Sequence, residues 1–234
     1  MSDREEELRT GLAAVEERIA TACADVGRDP AEVRLVVVTK TFPASDVRLL
    51  AGLGVTDVAE NKQQELEAKH AELAAELPVR WHFVGHLQSN KAGAVAEVAD
   101  VVHSVDRVKL VGAMQRRAQE RDRELEVLLQ VSLDPAGSAH RSGAGPADLS
   151  ALAGRVAASD RLVLRGLMAV APLGEDPAGA FARLAEIRTG FVSAYPSATW
   201  LSAGMSGDLE HAVRAGATHV RVGSAVLGSR PSVQ

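Results

Sequence analysis

Apolar residues recur along this chain with two different periods, and the two alternate. Near the start, Leu8, Leu12, Val15, Ile19, Cys23 and Val26 fall three or four residues apart, which is one stripe of an amphipathic helix. Ser2-Asp3-Arg4-Glu5 has the S-x-x-E form of a capping box, and Gly27 and Pro30 end the helix. Beyond Pro30, short β-branched runs are followed by helix-periodic stretches. RLVVVT (34–39), DVA (57–59), WHFVG (81–85), VVHSV (101–105), EVLLQVSL (126–133), LVLRGLMAV (162–170), TWLS (199–202) and HVRVG (219–223) predict eight strands. Helical periodicity spans about 44–53, 61–76, 90–98, 106–122, 147–158, 177–194 and 208–215.

Such alternation implies parallel strands joined by helical crossovers, because a parallel neighbour is reached only by crossing back over the sheet. Eight strands and seven intervening helices in 234 residues predict an α/β fold, a single (β/α)8 TIM-type barrel with an extra N-terminal helix. A further short helix has room after the last strand. No linker composition interrupts the chain, so 1–234 reads as one barrel domain with residues 1–27 packed on it as a helix. The stretch 134–146, DPAGSAHRSGAGP, reads as a mobile loop after strand five.

Charge and composition narrow the partners. A net charge of −5, from 26 basic and 31 acidic side chains, argues against a nucleic-acid surface but leaves room for a local cationic pocket. No apolar stretch approaches the roughly 20 residues of a membrane span. The acidic, polar start MSDREEELRT lacks the basic and apolar regions of a signal peptide, so a cytoplasmic location is expected. The one cysteine, Cys23, excludes an internal disulfide and fits a reducing compartment as a small buried hydrophobe.

In a (β/α)8 barrel, chemistry sits at the C-terminal ends of the strands. There the chain places Thr39-Lys40, Glu60-Asn61-Lys62, Gly85-His86-Leu87-Gln88-Ser89-Asn90-Lys91, His103-Ser104, Met168, Ser202-Ala203-Gly204-Met205-Ser206-Gly207-Asp208 and Arg221-Val222-Gly223-Ser224. Lys40, following Leu35 to Thr39, is either an amine that condenses with an aldehyde or a strand-end lysine reaching solvent. Gly204-Met205-Ser206-Gly207 and Gly223-Ser224 have the glycines and hydroxyls of a phosphate cradle, or are plain glycine turns with serine caps. Arg221 faces the barrel mouth or makes a structural ion pair. His82 and His86 stand four apart, but on a strand and its loop rather than on a helix, so no metal site is expected. The acidic pairs Glu65/Glu67 and Asp208/Glu210 read as solvated faces or first-turn charges.

Taken together, VVVTKTFP (36–43), AENKQQE (59–65), WHFVGHLQSNK (81–91), VHSVDR (102–107), RGLMAVAP (165–172) and LSAGMSGDLEHAVRAGATHVRVGSAVLGSR (201–230) resemble the YggS/PROSC family of pyridoxal phosphate homeostasis proteins. The segments occur in the family's order over nearly the whole chain. The resemblance implies a fold like the N-terminal barrel of alanine racemase, without its second domain. It implies pyridoxal 5′-phosphate (PLP) held as a Schiff base on Lys40, with Ser206, Gly223 and Ser224 on the phosphate and Arg221 facing the pyridine nitrogen. By the same resemblance Asn61, Met205 and Ser202 line the cofactor. The chain departs from the family in reading Ala59 where glycine is common before Glu60-Asn61. It also reads Arg141 before Ser142-Gly143, where a lysine is common.

An arginine at the ring nitrogen disfavours protonation there and leaves the ring a weaker electron sink. Tyr195, the one tyrosine, precedes strand seven, at the end of the barrel away from the mouth. The expected function is therefore intracellular PLP homeostasis by storage, buffering or delivery, with little turnover. Amino acids or apo PLP-enzymes are the expected partners, and the chain is expected to be a monomer. The rival readings are a PLP-dependent racemase or lyase, and an aldolase that uses Lys40 on a sugar phosphate.

Overall fold

A computed structural model describes residues 2–134 and 143–229. Eight parallel strands, β1 (Arg34–Val38), β2 (Asp57–Glu60), β3 (Arg80–Phe83), β4 (Val101–Val105), β5 (Leu125–Gln130), β6 (Leu162–Met168), β7 (Trp200–Ser202) and β8 (His219–Val222), pair in sequence order, and β8 pairs back onto β1 to close a barrel. The connecting helices are α2 (Ala44–Gly52), α3 (Gln63–Leu73), α4 (Ala92–Val98), α5 (Val108–Glu120), α6 (Leu149–Ala157), α7 (Pro177–Ala194) and α8 (Leu209–Arg214). α1 (Asp3–Ala24) precedes the barrel, and the short α9 (Ser224–Leu227) follows β8.

Strands five and six stop short of their predicted ends, at Gln130 and Met168. The apolar residues that continue the pattern, Val131, Leu133 and Val170, line the barrel mouth, where Val131 still donates its amide to the Met168 carbonyl at 2.8 Å and bridges to Ala144. Of the loop predicted at 134–146, residues 135–142 lie outside the described residues, and Arg141 and Ser142 fall among them.

Alternation along the strands sorts the core into two layers. Outward-facing Val37, Val220 and Val222 pack with Leu50, Leu209 and Val213 beneath α1, whose buried stripe is Leu8, Leu12, Val15, Ile19 and Cys23. Val26 continues the stripe in sequence but is 43% exposed, because the helix ends at Ala24 and Gly27 takes a left-handed turn at φ 66°. The expected cap is present, with Ser2 Oγ accepting from the Glu5 amide at 3.2 Å.

Inward-facing residues are far more polar. Apolar inward side chains form two small groups, Val36/Val38/Ala59 and Val101/Leu128/Met168. At the N-terminal end of the barrel, Arg34 meets Asp57 at 3.1 Å, Arg80 and Arg165 share Glu126, and both of these arginines lie over the Trp200 ring. Charges plug that end and leave the C-terminal mouth as the open one.

Candidate functional site

At that mouth a cavity of about 480 Å³ is lined by Val38, Lys40, Phe42, Asn61, His86, Val170, Met205, Ser206, Arg221, Gly223 and Ser224 among others. Residues from β1, β2, the β3 loop, β7 and β8 thus converge, as the strand-end argument expects. No carboxylate is found among its described lining residues.

Lys40 reaches this cavity from the first residues past β1, and its backbone is held on both sides. Before it, the Thr39 carbonyl accepts from Lys69 Nζ at 2.8 Å, and Thr39 Oγ1 donates to Glu60 Oε1 at 2.6 Å. Lys69 also pairs with Glu60, and all three groups are buried. Burial pushes the Glu60 carboxyl up, against the pull of Lys69. After Lys40, Thr41 takes a left-handed conformation at φ 69°, and its amide donates to Glu65 Oε2 at 2.8 Å. A threonine there is strained, and the Glu65 contact from α3 is what holds it. Asn61 sits beside Lys40's loop with its Oδ1 buried and unpaired. Its carbonyl closes on Gly85, where any Cβ would collide with it.

Across the cavity the β7 and β8 loops meet. Ser206 Oγ accepts from Ser224 Oγ and from the Ala225 amide, each at 3.3 Å. Gly204 turns the chain at φ 90°, and a Cβ there would lie 2.7 Å from Ala212 Cβ. Asp208 Oδ1 accepts from the Met205 amide at 2.6 Å and so closes the turn. From outside, α1 braces this side. Arg18 donates to the Ser206 carbonyl at 2.9 Å and pairs with Glu210, while Arg4 donates to the Leu227 carbonyl at 3.1 Å and pairs with Asp46.

Arg221 comes up between the two walls. Nη1 donates to Ser202 Oγ at 2.7 Å and Nη2 to the Ala169 carbonyl at 2.9 Å. Among the described residues it makes no ion pair, so of the two readings of Arg221 the structure gives the mouth-facing one. Burial lowers its guanidinium to about 10, which leaves it cationic at neutral pH.

Seven of the eight residues singled out from sequence therefore line one cavity. Ser202 does not. It is completely buried beneath Arg221, with its hydroxyl also 2.8 Å from His103 Nδ1. Its strand position is inward-facing but one layer too deep, so it touches the cavity only through Arg221. His103 and Met168, placed at the strand ends by pattern, also lie in the interior below. Glu65 and Asp208, which read as solvated faces or first-turn charges, stand in the first turn of α3 and at the N-cap of α8, and from there they anchor the two loops. Arg18 and Lys69 carried no local signal, since each acts on a segment distant in sequence. Tyr195 donates to the Ser150 carbonyl at 3.3 Å and lies outside the cavity lining.

Residues 11–231 match the family described as alanine racemase, N-terminal domain. The pyridoxal phosphate homeostasis protein of Mycobacterium tuberculosis is 44% identical, over 97% of this chain and 95% of its own length. That of Pseudomonas aeruginosa is 43% identical, over 94% of each. Among solved structures, PipY of Synechococcus elongatus with PLP bound superposes with a TM-score of 0.79 at 36% identity, covering 90% of this chain and 100% of that one.

Proposed function

Since the chain belongs to the alanine racemase N-terminal domain family, together with the pyridoxal phosphate homeostasis proteins, we propose that it is a PLP-holding protein of that kind. It binds PLP at Lys40 and serves to store, buffer or deliver the cofactor. The observation that carries this reading is the cavity itself: a lysine on one wall, paired serines on the other, a buried arginine between them, and no carboxylate in the described lining.

The donor set fits the group. A phosphate is an anion that takes hydroxyl and amide donors, which Ser206, Gly223 and Ser224 supply. Arg221 presents N–H donors and no acceptor, so it fits a ring nitrogen that is unprotonated. The buried Asn61 Oδ1 is an acceptor still awaiting a donor, which suits a ligand carrying a hydroxyl. When bound, PLP supplies an aldehyde that condenses reversibly with a primary amine and releases water. Lys40 is that amine. Lys69, Glu60 and Glu65 fix the backbone on either side of it, so that Nζ is delivered through its side-chain torsions. Met205, 40% exposed, and Phe42 add apolar surface to the cavity lining.

The whole chain acts as one unit of this kind, in the cytoplasm and as a monomer, handing PLP to apo-enzymes. The described residues contain no helix long and apolar enough to cross a membrane. The direct test mixes the PLP-loaded protein with an apo PLP-enzyme, with Lys40→Ala as control, beside a broad amino-acid screen. Recovery of the apo-enzyme's activity without Lys40-dependent turnover of any amino acid supports the proposal. Racemisation or cleavage at ordinary enzymatic rates, lost in Lys40→Ala, contradicts it.

A further inference from the structure

Beneath Arg221 the barrel interior holds a continuous polar file that the cavity does not use. Asp57 Oδ1 lies 2.8 Å from His82 Nε2, His82 Nδ1 lies 2.8 Å from His103 Nε2, and His103 Nδ1 lies 2.8 Å from Ser202 Oγ, which accepts from Arg221 Nη1 at 2.7 Å. Asp57, His82, His103 and Ser202 are completely buried, and they come from four different strands, β2, β3, β4 and β7.

The sense of every bond follows from the first. Asp57 is held ionised, its carboxyl lowered by hydrogen bonds from His82 and Thr56 and by Arg34 in spite of burial, and a carboxylate only accepts. His82 Nε2 must therefore carry a hydrogen. Burial keeps both imidazoles neutral, and a neutral imidazole has one donor and one acceptor nitrogen. So His82 Nδ1 accepts, His103 Nε2 donates to it, and His103 Nδ1 accepts in turn. The Ser202 hydroxyl then donates to His103 and offers its lone pairs to Arg221. Bonds aligned head to tail polarise one another, which makes Ser202 a stronger acceptor than an isolated hydroxyl.

We propose that Asp57, His82 and His103 are positioning residues, a one-way chain of hydrogen bonds that acts through Ser202 to fix how Arg221 presents its remaining N–H groups to the cavity. This deepens the reading that Arg221 faces the pyridine nitrogen and rests on it. The chain explains how a buried guanidinium with no carboxylate partner is held in one orientation, and why three inward-facing strand positions are histidine or aspartate rather than aliphatic.

Asp57→Asn is the informative substitution. Thr56 Oγ1 and Arg34 Nη1 both donate to Asp57 Oδ2, at 2.6 and 3.1 Å, so the amide oxygen takes that place and the NH2 group turns to His82. Both imidazoles must then reverse, and Ser202 loses the acceptor for its proton. Side-chain 15N NMR of the cofactor-free protein reads this directly. The expected result is two neutral histidines protonated on Nε2 in the unaltered chain and on Nδ1 in Asp57→Asn. Imidazolium at neutral pH, Nδ1 protonation in the unaltered chain, or a reversal confined to His82 overturns the proposal. If Asp57→Asn does not fold, the tautomers of the unaltered chain and the spectrum of Ser202→Ala decide in its place.

The functional half is read from the visible absorption of PLP added to each variant, with Arg221→Lys alongside. Asp57→Asn, Ser202→Ala and Arg221→Lys are expected to move the band in the same direction and to weaken PLP binding several-fold. A band that moves in Arg221→Lys but not in Asp57→Asn or Ser202→Ala overturns the chain's role. A band unmoved by Arg221→Lys overturns the underlying placement of Arg221 instead.

Discussion

The two walls of the cavity are braced in opposite ways. The amine wall rests on a buried ion pair, Lys69 with Glu60, which grips the residue before Lys40. The phosphate wall rests on partly exposed arginines of α1, Arg18 and Arg4, which grip the Ser206 and Leu227 carbonyls from outside. A buried pair loses much when one partner is removed, because the other is left as an uncompensated charge. A partly exposed pair such as Arg18 with Glu210 loses little, because water replaces the partner, whereas Arg4 reaches down to a buried Asp46. One wall is accordingly the more firmly braced, where the proposed covalent bond must find a single nitrogen. The other is tolerant, where an anion needs several weak donors.

Substitutions can break or sharpen that contrast. The largest effect belongs to Lys40→Ala, which removes the proposed bond-forming amine. The visible band of lysine-bound PLP should vanish, while weak, dialysable PLP binding at the serines persists. Next comes Lys69→Met, which strands Glu60 and should cost about 3–5 kcal/mol of stability by denaturant unfolding. The pH dependence has a definite sign. The Glu60 carboxyl, ordinarily near 4.5, is raised by burial in the folded protein, so in the window that opens above 4.5 the folded state holds the proton more often. Stability from this group therefore falls as pH rises through that window. Without Lys69 the carboxyl rises further, so the loss in Lys69→Met should be greater at pH 8 than at pH 5. A loss independent of pH would mean that Glu60 is not the stranded group.

Arg18→Ala should be milder, about 0.2–1 kcal/mol in stability and a few-fold in PLP affinity, because its pair with Glu210 is a third exposed. Equal stability losses for Lys69→Met and Arg18→Ala would erase the contrast. The smallest effect is that of salt. Raising ionic strength should weaken PLP binding slightly through the phosphate wall and leave the Lys69–Glu60 side unchanged, since buried pairs are poorly screened.

Acid tests a different layer. Burial lowers His82, His103 and His219, the last to about 3, from an ordinary value of 6.5. The unfolded chain therefore binds more protons below 6.5, and stability should fall as pH falls from there.

What was legible in the sequence follows from how local each signal is. The barrel could be read because eight β-branched runs alternate with helical stripes, and each period is written within a few residues. Lys40, Ser206, Arg221, Gly223 and Ser224 could be placed because strand ends are where such a fold collects its chemistry. Ser202, which the resemblance puts on the cofactor, lies one layer below the cavity, and the period along a strand gives the side of the sheet and not the depth. Lys69 and Arg18 carry no signal, and Glu65 shows no loop-anchoring role, because each looks like an ordinary helix charge until the fold brings it against a distant loop. The interior histidines were named, but their contact with each other was not readable, for the opposite reason. In a β-branched run, an inward-facing His82 or His103 shows no sign of its partner on the next strand.

The central claim is that one particular nitrogen, Lys40 Nζ, takes the cofactor's aldehyde. Incubation with PLP, borohydride reduction and peptide mass mapping tests it directly. The account predicts a pyridoxyl group on the peptide containing Lys40 and on no other lysine in stoichiometric amount. A label on Lys69 or on a surface lysine, with Lys40 unmodified, would contradict it.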